Sequence, residues 1–225
     1  MYHNHQASPS YSFDFRLKNE SSLLLSGPSQ CGKSTLLNQM LSDENLFVHK
    51  LEKIYWYYGQ MNDDLCKNNN NYILREGLPE SFADIEPYSC IVLDDLMDEA
   101  KNHAGVTALF TKLVHHKKLF VVMLTQNFFQ KTGDARTRRL NAQYLIIFKN
   151  PSDATQIGII GRQMYPHDPK FLSAAFKAAT ANRPHGYIFI DLRQETLEQH
   201  RIRTGILKDD GLDMVIYTSK KSINM

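Results

Sequence analysis

The chain lacks any apolar run approaching the ~18 residues a membrane-spanning helix needs. Cysteine is scarce: Cys31, Cys66 and Cys90 are widely spaced and odd in number. That pattern fits neither a disulfide framework nor a zinc-ligand spacing, and it reads as a reducing, intracellular setting. Met1–Ser12 is polar, without the apolar core of a secretory leader. An excess of one charge is missing too. The 26 Lys and Arg nearly balance 24 Asp and Glu, for a formal net charge of +2. A protein that coats nucleic acid carries a stronger basic surplus, so any DNA contact here must use a local patch, be transient or be assembled from several subunits. There is no internal repeat. The run Asn68–Asn71 reads as a loop tip, and His3 and His5 as residues of a tail rather than metal ligands.

Against these absences stands one dense signal. Gly27-Pro28-Ser29-Gln30-Cys31-Gly32-Lys33-Ser34, followed by Thr35, is a complete G-x-x-x-x-G-K-[ST] phosphate loop. Gly27 and Gly32 let successive N–H groups turn toward one anion. Lys33 brings positive charge to the outer phosphates, and Ser34 offers a hydroxyl to Mg²⁺. The following helix points the positive end of its dipole at the same place. Context agrees: the apolar Ser22–Ser26 precedes the loop at strand length, and Leu36, Leu37, Met40 and Leu41 follow at helical spacing. The whole nucleotide-binding stretch is therefore residues 27–35, with ATP and Mg²⁺ as cofactors. Cys31, at a helix N-terminus, is expected to have a lowered thiol pKa and to make the site alkylation-sensitive.

The length of 225 residues suits one α/β domain. Further strands are expected at Ile54–Tyr58, Cys90–Leu93, Leu119–Leu124, Tyr144–Phe148, Tyr187–Asp191 and Arg201–Leu207. Helices are expected over about 101–117, where Val106, Leu109, Phe110, Leu113 and Val114 form one stripe, and over Lys170–Ala181. Residues 60–88 read as irregular and 130–139 as a polar, basic stretch. Alternation of strands and helices implies a parallel sheet covered on both faces, with ligands beyond the carboxyl ends of its strands. The phosphate loop, Asp94-Asp95 and Thr125-Gln126 all fall at such ends. The domain is read as 21–207, between a flexible segment 1–20 and a weakly ordered tail 208–225.

Asp94 at a strand end is suited to hold the Mg²⁺ water shell with Ser34. Asp95 is placed to orient or deprotonate a water. The alternative is that the two acids cap the next helix with Asp98 and Glu99. Gln126 can contact γ-phosphate and attacking water, or it can satisfy loop backbone. Arg136, Arg138 and Arg139, after Lys131 and a Gly133-Asp134 turn, can serve as a trans-acting finger or sensor, grip a DNA backbone or remain surface charge. Arg136 is the first choice among them. Arg162 and Arg183 are weaker candidates.

Several strings together resemble one family: residues 26–34, Val92–Met97, His115-His116, Leu124–Phe129, Arg136-Thr137, Leu140-Asn141, Phe148–Asp153 and Gly186-Tyr187. Over residues 20–207 they resemble the genome-packaging ATPases of double-stranded DNA viruses. The nearest likeness is to the poxvirus-type, adintovirus and Polinton/Maverick branch of the FtsK–HerA superfamily. The resemblance implies a RecA-like (ASCE) P-loop NTPase fold, with the Gln126 strand inserted between the phosphate-loop strand and the Asp94 strand. It implies a homo-oligomeric ring, a catalytic, nucleotide-sensing role across subunits for Arg136, and double-stranded DNA and a capsid or portal protein as partners; catalytic roles for Lys33, Asp95 and Gln126, and no membrane, come from the residues themselves. The setting it implies is the host nucleus or cytoplasm at sites of virion assembly. Two departures stand out: Asp95 where the superfamily commonly has Glu, and Ser152 where a basic residue is expected. The residues alone also admit a nucleotide or nucleoside kinase with an Arg-rich lid over 131–139, or a nucleotide-binding assembly protein without turnover.

Overall fold

The computed structural model describes residues 13–60, 72–129, 133–181, 183–207 and 213–219. His3, His5, Cys66, the Asn68–Asn71 run and Lys131 lie outside them. Its scaffold is one nine-stranded sheet: β1 (Ser21–Ser26), β2 (Ile54–Tyr58), β3 (Tyr72–Glu76), β4 (Cys90–Asp94), β5 (Phe120–Thr125), β6 (Tyr144–Phe148), β7 (Tyr187–Asp191), β8 (Ile202–Thr204) and β9 (Val215–Tyr217). The spatial order is β3-β2-β4-β5-β1-β6-β7-β8-β9. The first six of these neighbours run parallel, and β7, β8 and β9 add antiparallel strands at one side. The sheet is thus parallel only in its site-bearing part. β9 falls within the stretch 208–225 set apart in the sequence.

The central strands are buried on both faces, each built around an apolar run, with small Ser21, Ser22, Ser26 and Thr125 buried at their ends. Along β1, Leu24 faces one core while Leu23 and Leu25 face the other; along β5, Val121 and Met123 divide from Val122 and Leu124 in the same way. Helix α1 (Lys33–Ser42) packs Leu36, Leu37 and Met40 onto the second face. The opposite face receives α2, a helical run through Ala104–Ala108, a π-helical turn Leu109–Leu113 and Val114–His116. Val106, Leu109, Phe110 and Val114 of the expected stripe are buried there. So are Leu172 and Ala175 of α5 (Phe171–Thr180) and Ile157 and Ile160 of α4 (Thr155–Met164). Helix α3 spans Gly133–Asn141.

Three readings need correction. Residues 60–88 contain β3, a half-buried edge strand paired with β2. The 130–139 stretch holds α3, so Gly133-Asp134 begins a helix instead of marking a turn. Helix α4 had no counterpart in the sequence reading.

The candidate nucleotide site

Register brings the three motifs to one edge. Ser26 stands opposite Thr125 and Leu93 opposite Met123, so β1, β5 and β4 end side by side with β5 in the middle. The Gly27 amide donates to the Thr125 carbonyl at 3.1 Å, tying the start of the loop to the strand that leads to Gln126.

The loop curls through left-handed backbone at Gln30 (φ 62°) and Gly32 (φ 100°), and Gly32 is the N-cap of α1. Alternation of this kind turns successive N–H groups toward one concavity. The Lys33 ammonium lies over it, donating to the carbonyls of Gly27 (2.8 Å) and Pro28 (2.9 Å). Gly27 is required by space: a Cβ there would come within 2.6 Å of Cys31 Sγ and 2.7 Å of Phe148 Cβ. Gly27→Ala is therefore expected to weaken nucleotide binding about tenfold or more, roughly 1.4 kcal/mol, as read by titration with a fluorescent ATP analogue; unchanged affinity would show that the loop yields freely.

Cys31 corrects the sequence reading. Its side chain is buried against the loop, and desolvation pushes the thiol pKa up, outweighing the nearby Lys33. A helix N-terminus favours the thiolate only where water or charge reaches it.

Asp94 ends β4 half-buried. Burial raises its carboxyl pKa, opposed by a hydrogen bond from Trp56 Nε1 to Oδ2 (3.3 Å), raised further by the neighbouring Asp95 and lowered by Lys33. Asp95 follows in a left-handed conformation (φ 54°), a region Asp tolerates better than most residues, and is exposed. The turn they make is packed on Gly59, whose amide donates to the Asp94 carbonyl at 3.0 Å and where a Cβ would lie 2.5 Å from the Asp95 carbonyl. Neither acid caps a helix. The next helix begins at Ala104, and its cap is His103, whose ring nitrogen accepts from the Val106 amide.

Asp94 and the Ser34 hydroxyl are oxygen donors of the kind Mg²⁺ takes when phosphates and water complete its shell. A desolvated carboxylate beside a second acid is stabilised by positive charge. Among the described residues no group of three or more His, Cys, Asp and Glu side chains forms a denser metal cage.

Gln126 is exposed just past β5, and its backbone amide faces Met97 Sδ at 3.4 Å. It borders a narrow cavity of about 20 Å³ shared with Gly27, Phe148, Asp153 and Gln156. Buried Gln156 links the loops on either side: its Oε1 accepts from the Phe128 amide (3.2 Å) and its Nε2 donates to Asp153 (2.8 Å). A larger cavity, about 490 Å³, lies at the amino ends of β2 and β3, at the opposite edge of the sheet.

The arginines separate clearly. Arg138 is buried and donates to the Ala100 carbonyl at 3.1 Å, anchoring α3. Arg139 stacks on Phe129 (4.8 Å) and Phe128 (5.6 Å), and burial lowers its pKa. Arg136 is exposed on α3, as is Arg162 on α4, and Arg183 is half-buried.

Sequence reasoning missed His185. Its Nδ1 lies 3.0 Å from the Cys31 carbonyl and its ring lies against Gly32. A carbonyl only accepts, so Nδ1 carries the proton. The contact spans 154 residues of sequence, and no local pattern announces it.

The sequence matches no protein-family model and no curated protein. Its fold does match solved structures. The DNA-packaging ATPase B204 of Sulfolobus turreted icosahedral virus aligns at a TM-score of 0.55 with 11% identity, covering 90% of this chain and 98% of that one. The genome packaging NTPase B204 of Sulfolobus turreted icosahedral virus 2, in complex with sulfate, aligns at 0.50 with 11% identity, covering 88% and 96%. At that identity the likeness concerns the fold, which is the RecA-like P-loop NTPase architecture.

Proposed function

We propose that this chain is an ATP-hydrolysing motor subunit that moves double-stranded viral DNA into a capsid. The observation that carries the reading is the side-by-side ending of β4, β5 and β1, which brings Asp94, Gln126 and the Lys33 loop to one rim. The fold shared with a viral DNA-packaging ATPase and a viral genome packaging NTPase supports it, as does the sequence resemblance of residues 20–207 to the FtsK–HerA branch.

In this reading the backbone of residues 27–35 cradles the phosphates and Lys33 moves from the loop carbonyls to the outer phosphate oxygens. Ser34 and Asp94 would hold Mg²⁺, which when bound offsets phosphate charge. Gln126 orients a water in line with the γ-phosphate, and Asp95 accepts its proton. Exposed Arg136 reaches the site of a neighbouring copy in a ring, where it stabilises charge on the transferred oxygens. Arg136→Ala is expected to lower kcat about 10³-fold with nucleotide affinity of the isolated subunit unchanged, measured by steady-state turnover; equal turnover would remove Arg136 from the mechanism. Water as acceptor is favoured over a kinase substrate because buried Arg138 anchors α3 to the core, leaving that helix poorly suited to act as a lid.

With a near-neutral net charge, DNA is gripped in this reading by a surface assembled from several subunits, one of the routes the charge balance leaves open. The ATPase unit is proposed to centre on residues 21–207, with β9 extending its sheet, and to act inside the host cell with a capsid or portal protein. The test is ATP hydrolysis with and without duplex DNA, alongside mass determination in solution. Duplex stimulation in a ring-sized assembly is expected. Absence of stimulation in every oligomeric state would contradict a motor, and binding without turnover would point to an assembly protein.

A further inference from the structure

The chain contains one tryptophan, and it touches the carboxylate at the centre of the site. Trp56 is fully buried on β2. Strand register sets Tyr58 opposite Asp94 and Trp56 opposite Val92, so the Trp56 side chain shares a sheet face with Asp94 two residues along. Its indole N–H reaches Asp94 Oδ2, while its ring stacks on Tyr72 of β3 with centroids 5.4 Å apart and planes 19° apart. The Tyr72 hydroxyl then lies 3.0 Å from Asn38 Oδ1. Asn38 is on α1, one turn beyond Ser34, and i,i+4 residues lie on the same side of a helix.

The geometry points to Trp56 as a positioning residue for the metal–nucleotide complex: with Tyr72 and Asn38 it connects the strand that carries Asp94 to the helix that carries Ser34, and it assigns the two Asp94 oxygens different tasks. An indole N–H can only donate. It therefore occupies Oδ2 and leaves Oδ1 to face the cation's water shell. A fully buried indole has little freedom to turn, so the carboxylate is oriented before the cation arrives. Preorganisation of this kind raises affinity by removing the ordering cost at binding. The inference rests on the nucleotide-site reading above, but on neither hydrolysis nor DNA.

The test uses the full chain and a fluorescent ATP analogue, titrated in EDTA and then across Mg²⁺ concentrations. Trp56→Phe keeps the stacked ring and removes the N–H. It is expected to raise the half-saturating Mg²⁺ concentration about tenfold while analogue binding in EDTA stays as in the wild type. A purely packing defect would weaken both alike and would overturn the inference, as would an unshifted Mg²⁺ dependence. A second measurement needs no Trp56 variant. In the wild-type chain with non-hydrolysable ATP bound, Mg²⁺ is expected to change Trp56 emission, and Asp94→Asn is expected to abolish that change. Emission indifferent to Mg²⁺, or a change that persists in Asp94→Asn, would refute the role. A wild type that binds nucleotide without any Mg²⁺ dependence would instead overturn the site reading itself.

Discussion

Lys33→Ala is expected to reduce ATP hydrolysis at least about 100-fold, the loss typical of removing one preorganised donor from a charge-stabilising site. The reason lies in where the ammonium sits. It is held over the loop by the carbonyls of Gly27 and Pro28, at 2.8 and 2.9 Å, within the concavity that the phosphates would enter. Those two carbonyls can turn to water when the side chain is removed, so the fold is expected to survive with little change in thermal midpoint. Steady-state turnover and a melting curve on the same preparation separate the two effects. Retained hydrolysis in a folded Lys33→Ala protein would mean that the loop serves some other anion.

The largest stability effect is expected at the opposite edge of the sheet. Asp191 is fully buried at the end of β7 and serves two guanidinium groups. Arg193 donates to both its oxygens at 3.0 and 2.8 Å, and Arg203 donates to Oδ2 at 3.2 Å. Both arginine side chains are nearly inaccessible, at 7% and 2% of their surface. Arg203 is further enclosed by Phe189 and Phe15, and desolvation lowers its pKa to about 10, still charged at neutral pH. Asp191→Ala would leave two buried positive charges facing each other without their shared anion. Breaking a buried ionic cluster in this way costs about 3–5 kcal/mol, which lowers the melting temperature of a chain this size by about 10 °C. Calorimetry checks the shift. Because Asp191 pairs with Tyr144 at the amino end of β6, away from the loop, nucleotide affinity of the protein that remains folded is expected to be unchanged. A shift of only a degree or two would show that water reaches the cluster.

What the sequence made legible was what it encodes locally. Apolar runs marked β1, β5 and β6, and the loop glycines with Lys33 and Ser34 marked the curled turn that leads from β1 into α1. β3 escaped because Tyr72–Glu76 is a half-buried edge strand ending in Arg75-Glu76, without the apolar continuity of its neighbours. α3 escaped because its main buried anchor is an arginine, Arg138, where a hydrophobic stripe would be expected. α4 was hidden by Gly158 and Gly161, residues that lower helix propensity. Gly161 has a packing reason: a Cβ there would press within 3.2 Å of Leu172 and the Pro169 carbonyl. At Cys31 the local argument from the helix N-terminus gave the wrong sign, because burial is a tertiary property. Contacts such as His185 with the loop, or Trp56 with Asp94, join distant segments whose facing depends on strand register.

The central claim is that one triphosphate is held jointly by the ends of β1, β4 and β5. A crystal or cryo-electron microscopy structure with Mg²⁺ and a non-hydrolysable ATP analogue tests it most directly. The account predicts phosphates seated on the backbone of residues 27–35, Lys33 on the outer oxygens, Asp94 beside the cation and Gln126 facing the γ-phosphate. A nucleotide bound elsewhere, or one that Lys33, Asp94 and Gln126 cannot reach together, would contradict it.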